Sequence, residues 1–143
     1  MLKAKDIMQT DLVVVNKHTP FIKAIELIAK HRITGLPVVE DGMNLVGVVS
    51  EKDLLTLTYH LITQNLDEIK KYTVESLMTK DVVTFQSDDS LADICRCLVE
   101  NPFRRVLIVE GSKLVGLITR KDLIFTAVGK DGLKLMRTTA TYL

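Results

Sequence analysis

Gly42-Met43-Asn44-Leu45-Val46-Gly47-Val48-Val49-Ser50-Glu51-Lys52-Asp53-Leu54 returns later in the chain as Gly111-Ser112-Lys113-Leu114-Val115-Gly116-Leu117-Ile118-Thr119-Arg120-Lys121-Asp122-Leu123. Each copy runs from a turn glycine through an apolar stretch holding a second glycine. A hydroxyl residue, two charged residues and an aspartate follow. Upstream, Asp6-Ile7-Met8-Gln9-Thr10-Asp11-Leu12-Val13 returns as Ser76-Leu77-Met78-Thr79-Lys80-Asp81-Val82-Val83. A chain that writes one residue order twice is two copies of one supersecondary unit. The boundary falls at Tyr72 to Val74, giving a first repeat over residues 1–73 with a long linker helix and a second over 74–143 with a C-terminal tail.

Both repeats predict the same elements. Thr19-Pro20 has the form of a helix N-cap followed by proline at the first helical position, and Phe21, Ala24, Ile25 and Ile28 then keep the spacing of a buried helical face. Leu91, Ile94, Cys95 and Leu98 repeat that stripe. Two β-branched runs joined by a glycine turn follow in each half, Leu36 to Val39 with Leu45 to Val49 and Val106 to Val109 with Leu114 to Ile118, which are hairpins. A second helix opens at Ser50 and at Thr119. The first of these runs long, through Leu54, Leu57, Leu61, Ile62, Leu66 and Ile69; the second is interrupted by Gly129 and Gly132. The fold class is α+β, two pseudo-twofold-related strand-helix-strand-strand-helix repeats packed through their sheets, because neither half alone has enough core.

Composition removes several functions. Lys and Arg number 19 against 18 Asp and Glu, a net charge of +1, so no overall field attracts a nucleic-acid backbone or an anionic membrane. No apolar run approaches the roughly 20 residues of a membrane span, and Met-Leu-Lys-Ala-Lys is no signal segment, so the expectation is a cytoplasmic protein. Cys95 and Cys97 are one residue apart on a helix and make neither a disulfide nor a metal pair; Cys95 is expected in the core. His18, His31 and His60 lack partners at ligand spacing and are expected at the surface, which leaves no metal site. No nucleophile–base pair and no phosphate-loop signature is present, so the chain is not expected to be an enzyme.

The chemistry concentrates in Gly47-Val-Val-Ser50-Glu-Lys-Asp53 and Gly116-Leu-Ile-Thr119-Arg-Lys-Asp122. A hydroxyl three residues before a carboxylate at a helix start is a capping-box variant that needs no ligand. The same arrangement also makes an anion and sugar site, since a strand feeding a helix start presents backbone donors. An acceptor-only carboxylate there takes both hydroxyls of a ribose.

The order Asp-Ile-Met, Thr-Pro before a helix, Leu-Pro-Val-Val and Gly-Val-Val-Ser-Glu-Lys-Asp-Leu resembles a CBS (cystathionine-beta-synthase) repeat, and the second half resembles one too. The resemblance covers residues 4 to 124 and is that of a tandem pair, a stand-alone Bateman-type module; the tail from Phe125 to Leu143 matches neither repeat. It implies a regulatory module that binds an adenine nucleotide (AMP, ADP or ATP) in a cleft between the repeats, with no cofactor required. By that resemblance Asp122 holds the ribose and Thr119 the sugar or phosphate. Arg104 and Arg105 face the phosphate with Lys121 beside them, and the adenine lies against Met8, Val13, Ile33, Thr34 and Gly35. A second, weaker cleft uses Ser50 and Asp53, with Met78, Val83, Phe103 and Arg104 near the base. It lacks an arginine pair, and Arg32, Lys52 and His31 partly compensate. The second repeat departs from the family at Asn101-Pro102-Phe103-Arg104-Arg105, which replaces the usual apolar-Pro-Val entry.

The resemblance also implies a homodimer, through the apolar stripe of Leu57, Leu61 and Ile62, and an effector protein acting in trans. The alternative reading is a structural dimerisation module without a nucleotide ligand.

Overall fold

The computed structural model describes residues 1–64, 67 and 70–129. In chain order the described elements are α1 (Ala4–Ile7), β1 (Val15–Asn16), α2 (Phe21–His31), β2 (Leu36–Glu40), β3 (Asn44–Val49) and α3 (Glu51–Thr63). Then come α4 (Val74–Leu77), β4 (Thr84–Gln86), α5 (Leu91–Glu100), β5 (Arg105–Glu110) and β6 (Lys113–Thr119). A last helix, α6, occupies 120–129. The α+β class and the strand-helix-strand-strand-helix order of each repeat are as the sequence predicts. The four-residue turns α1 and α4 are additions, formed on the Asp-Ile-Met and Ser-Leu-Met segments.

The helical stripes form where the spacing puts them, with two differences. α2 buries Phe21 and Ala24 and lays Ile25 and Ile28 on the same core. Pro20, not Thr19, is its N-cap, because the Thr19 hydroxyl closes a turn by accepting from the Asn16 amide at 3.1 Å. On α5, Ile94 and Leu98 are buried and Leu91 packs beside them. Cys95 is exposed and Cys97 half-buried, correcting the expectation of a core Cys95: one residue past Ile94 turns the side chain about 100° out of the stripe.

The chain divides into two compact units that do not coincide with the two sequence repeats. One comprises Val13–Val82 with Ser112–Leu114, the other Met1–Leu12 with Val83–Gly111 and the chain from Val115 onward. In the first, β1 runs parallel to β2 and β2 antiparallel to β3, with a register shift between Val38 and Val39. Val15, Phe21, Leu36, Val38, Val49, Leu57 and Val74 form its core. Val74 comes from the second repeat. Its amide donates to Thr19 O at 2.9 Å, and that of Glu75 to Lys17 O at 3.0 Å. In the other unit β4 runs parallel to β5, which neighbours β6, over a core of Ile94, Leu98, Val106, Ile108 and Ile118. The plug here is Ala4, fully buried, whose amide donates to Asp89 O at 2.9 Å while that of Lys5 donates to Ser87 O at 2.9 Å. Each unit therefore takes its opening turn from the repeat that owns the other unit's hairpin.

α3 corrects the apolar stripe read from the sequence. Leu57 is a core residue and Leu61 packs against the core, whereas Leu55, Tyr59 and Ile62 point outward at 70%, 63% and 79% exposure. These three recur at i, i+4 and i+7, so they share one face. His60 also departs from expectation: it is half-buried, its Nδ1 has no hydrogen-bond partner among the described residues, and its ring meets Tyr59 edge-on at 5.6 Å. His18 and His31 are exposed. α6 is described as far as 129, into what the sequence suggested was tail, and Gly129 has φ 63°. Leu66, Ile69, Gly132 and the rest of the tail lie outside the described residues.

The N-terminal turn is also held by charge. Lys5 Nζ lies 2.8 Å from Asp88 and Lys3 Nζ 3.6 Å from the same carboxylate. The Lys5 hydrogen bond and charge, with Lys3 adding, hold the Asp88 carboxyl below the usual carboxylate range, and Lys17 does the same to Glu40. A carboxyl whose folded pKa lies below its unfolded value of about 3.9 stabilises the fold above that value and loses its contribution as pH falls through the folded pKa. Asp88→Asn should therefore be less stable than wild type at pH 6 and differ from it less at pH 3. Urea unfolding at the two pH values checks this, and added salt should shrink the pH 6 difference because the pair is exposed.

Candidate functional site

Both glycine-to-aspartate motifs fold first of all as capping boxes. Ser50 ends β3 in extended conformation and caps α3; its hydroxyl accepts from the Asp53 amide at 3.3 Å while Asp53 Oδ2 accepts from the Ser50 amide at 2.8 Å. At α6 the Thr119 hydroxyl accepts from the Asp122 amide at 3.2 Å and Asp122 Oδ2 accepts from the Thr119 amide at 2.9 Å. The helix-start function is thus real in both copies. What differs is the capacity left over.

The Ser50 hydroxyl donates its proton to Asp53 Oδ2 at 2.9 Å. The Thr79 hydroxyl reaches the same carboxylate from the other repeat, at 3.3 Å from Oδ1 and 3.2 Å from Oδ2. Asp53 Oδ2 thus faces three donors, while Oδ1 shares only the Thr79 hydroxyl. Asp122 takes one more donor, Gln9 Nε2, at 2.9 Å on Oδ2. Among the described residues its Oδ1 has no donor and the Thr119 hydroxyl proton no acceptor. Both side chains are half-buried, so an arriving ligand finds an acceptor and a donor side by side at a helix N-terminus.

Gln9 and Thr79 are site residues that sequence reasoning missed. Each follows the methionine of its repeat and is held by a reciprocal backbone pair. Gln9 N donates to Leu117 O at 2.9 Å and Leu117 N to Gln9 O at 3.0 Å; Val48 and Thr79 exchange two bonds of 2.9 Å. The signal in the sequence was the recurrence of a polar residue after Met8 and Met78. The motif glycines allow this approach. A Cβ on Gly116 would lie 2.4 Å from Met8 Sδ, and one on Gly47 2.8 Å from both Met78 Sδ and Thr79 O. The glycines thus make room for another segment of the protein.

Arg104, exposed, precedes β5, and half-buried Arg105 begins it. Arg104 O accepts from the Arg120 amide at 3.1 Å. The Arg120 guanidinium donates to Asn101 O at 3.1 Å and Leu98 O at 3.4 Å. Arg120, a third residue that sequence reasoning missed, thereby fixes the Asn101–Arg104 loop to the start of α6, and Lys121 stands exposed on that start.

One unit thus brings together Met8, Arg104, Arg105, Thr119, Lys121 and Asp122; Phe103 and Val83 also belong to it. The other holds Ser50, Asp53 and Met78, together with Val13, Ile33, Thr34 and Gly35. The last four are not in the unit that carries Asp122. Val13 and Ile33 pack on the core of their own unit, and a Cβ on Gly35 would lie 2.7 Å from Val49 O, beside Ser50. Met8 and Phe103 pack partly on one core and Met78 on the other.

Residues 4–59 and 74–129 each match the family model of the CBS domain. The chain belongs to the CBS-domain family. It is 31% identical over 141 residues to the chloroplastic CBS domain-containing protein CBSX1 of Arabidopsis thaliana, covering 82% of this chain and 60% of that protein. It is 28% identical over 120 residues to the uncharacterized protein MJ1225 of Methanocaldococcus jannaschii, covering 84% of this chain and 41% of that one. The chain therefore spans about half the length of these relatives. Its fold superposes on the crystal structure of CBSX2 in complex with AMP with a TM-score of 0.77 at 34% identity, over 90% of this chain and 97% of that chain. Among the described residues no helix is long and apolar enough to cross a membrane.

For this CBS pair the contacts at Gly47 and Gly116 make a stability prediction. Gly116→Ala and Gly47→Ala should each cost about 1–3 kcal/mol, the usual range for overpacking. Gly47→Ala should cost at least as much, because its added methyl meets the Thr79 carbonyl as well as a side chain. Chemical unfolding of the two variants measures both.

Proposed function

We propose that this CBS pair is a regulatory module that binds an adenine nucleotide where the opening segment of the first repeat meets the α6 start of the second. The single observation that carries this reading is the capacity of Asp122 Oδ1 and the Thr119 hydroxyl that is unused among the described residues, beside a loop bearing Arg104 and Arg105. Asp122 takes the ribose hydroxyls and Thr119 donates to sugar or phosphate. Arg104, Arg105 and Lys121 supply positive charge for the phosphate, and Met8 offers a polarizable apolar surface for the base. The assignment of the base to Val13, Ile33, Thr34 and Gly35 rests on the family resemblance, as does that of Val83 and Phe103 for the second site. The solved complex of CBSX2 with AMP, at 34% identity, supports the ligand class. An anionic ligand fits the arginines better than the sulfonium of S-adenosylmethionine, which like charges repel.

The Ser50–Asp53 site binds more weakly, because its carboxylate and hydroxyl already satisfy one another and its pre-strand residues are Thr34 and Gly35. Regulation runs through an effector protein in trans, with the bound nucleotide as signal and no reaction catalysed. Titration with AMP and ATP tests the assignment. Hydrogen bonds to charged groups are worth roughly 1.5–3 kcal/mol, so Asp122→Ala should weaken the tight site at least about tenfold. Asp53→Ala should spare it. Retention of the tight site in Asp122→Ala and its loss in Asp53→Ala would reverse the assignment, and no binding by wild type would leave a dimerisation module.

The module is proposed to be a homodimer. Leu55, Tyr59 and Ile62 form one exposed apolar face on α3, and Ile124, Phe125 and Val128 are 50%, 41% and 39% exposed on α6. Two such faces on the equivalent helices of two repeats suit an isologous contact. Light scattering at micromolar concentration should give twice the 16.0 kDa chain mass, and Leu55→Glu with Ile62→Glu should give the monomer.

A further inference from the structure

Asp122 Oδ2 already holds two donors at 2.9 Å, the Thr119 amide and Gln9 Nε2. The first is part of the capping box and persists as long as α6 begins at Arg120. The second is an exposed side chain that can leave without disturbing any backbone bond. A ribose presents two adjacent hydroxyls, and a carboxylate holds both best by offering one acceptor from each oxygen. Among the described residues Oδ1 has no donor, but Oδ2 has both of its lone-pair positions taken.

We propose that Gln9 is an internal competitor for the ribose, an affinity-setting residue whose amide occupies the acceptor that one ribose hydroxyl requires. The inference deepens the nucleotide reading above and rests on it. Displacement is reversible because the Gln9 backbone stays paired with Leu117 through both of its hydrogen bonds. The released amide remains within reach of Asp122 and competes at high effective concentration. Thr79 holds the corresponding place at Asp53 with a different geometry: its hydroxyl spans both carboxylate oxygens, 3.3 and 3.2 Å away. A ribose arriving there meets one hydroxyl shared between the two oxygens, with the Ser50 amide and hydroxyl already on Oδ2. The identity of the residue after the methionine, glutamine in one repeat and threonine in the other, thus tunes the two sites separately.

The test is calorimetric titration of wild type, Gln9→Met, Gln9→Ala and the Gln9→Met/Asp122→Ala pair with AMP and with 2′,3′-dideoxy-AMP, melting temperatures confirming that each variant folds. Gln9→Met keeps the bulk of the side chain and removes its donor. It should bind AMP about two- to tenfold more tightly than wild type, the usual worth of one hydrogen bond. The gain should be absent with the dideoxy ligand and absent in the Asp122→Ala background. A purely structural role for Gln9 would change both ligands alike. Unchanged or weakened AMP affinity in both Gln9 variants, or an equal gain with the dideoxy ligand, overturns the inference while leaving the nucleotide site intact. Failure of wild type and all variants to bind AMP overturns the nucleotide reading and this inference with it.

Discussion

A reciprocal backbone pair brings two segments of the chain to within 2.9–3.0 Å, and the pairs Gln9–Leu117 and Val48–Thr79 fix where the opening segment of each repeat sits. They bring the opening segment of each repeat to the hairpin of the other, which is why the compact units cut across the sequence repeats. The constraint that permits them is the missing side chain of Gly116 and Gly47. Any Cβ there would stand inside contact distance of Met8 or Met78. Once the segments are seated, Ala4 and Val74 fill their cores, and Gln9 and Thr79 come into range of the two aspartates. Core completion and site assembly therefore follow from one contact. A fault at either glycine would be felt in stability and in the site together.

The carboxylates sit at the second junction of structure and function. An aspartate at the third position of a helix normally closes a capping box, worth about 1 kcal/mol. That role uses one oxygen. Whether the other is available depends on what the exchanged segment and the cap residue bring to it. Ser50 turns its proton onto Asp53, whereas Thr119 does not turn its proton onto Asp122. Among the described residues the second hairpin thus ends in an acceptor and a donor with spare capacity and the first in a hydroxyl and carboxylate bonded to each other, although the two motifs read alike.

Most of the fold was legible because it is written in periodicity. Phe21, Ala24, Ile25 and Ile28, the two hairpins and the two caps lie where the spacing of apolar and hydroxyl residues puts them. The features that escaped depend on contacts distant in sequence. Gln9 meets Asp122 and Thr79 meets Asp53 through strand pairing that no local pattern encodes, and Arg120 acts through carbonyls of the preceding loop. Cys95 and Leu57 were misassigned for a simpler reason: next to a true stripe an apolar residue fits the pattern nearly as well, and a rotation of about 100° per residue decides between core and solvent. On α3 that rotation moves the outward apolar face to Leu55, Tyr59 and Ile62.

Two terms distinguish the helix starts, charge and hydrogen-bond vacancy, and they act over different ranges. Arg104 and Lys121 are exposed, so their attraction for a phosphate is screened over about 8 Å at physiological salt and bears chiefly on the rate of encounter. Half-buried groups such as Asp122 and Thr119 act only at contact and in a lower local dielectric, where each hydrogen bond counts for more. In the proposed site, long-range charge would favour arrival at the α6 start, while the carboxylate oxygen and hydroxyl that have no partner among the described residues would govern how long a ligand stays. At the α3 start Glu51 stands where Arg120 stands in the other copy, so an approaching anion would meet a like charge there and a carboxylate whose Oδ2 already faces three donors. Both terms point the same way, so the proposed inequality of the two sites does not depend on which is larger.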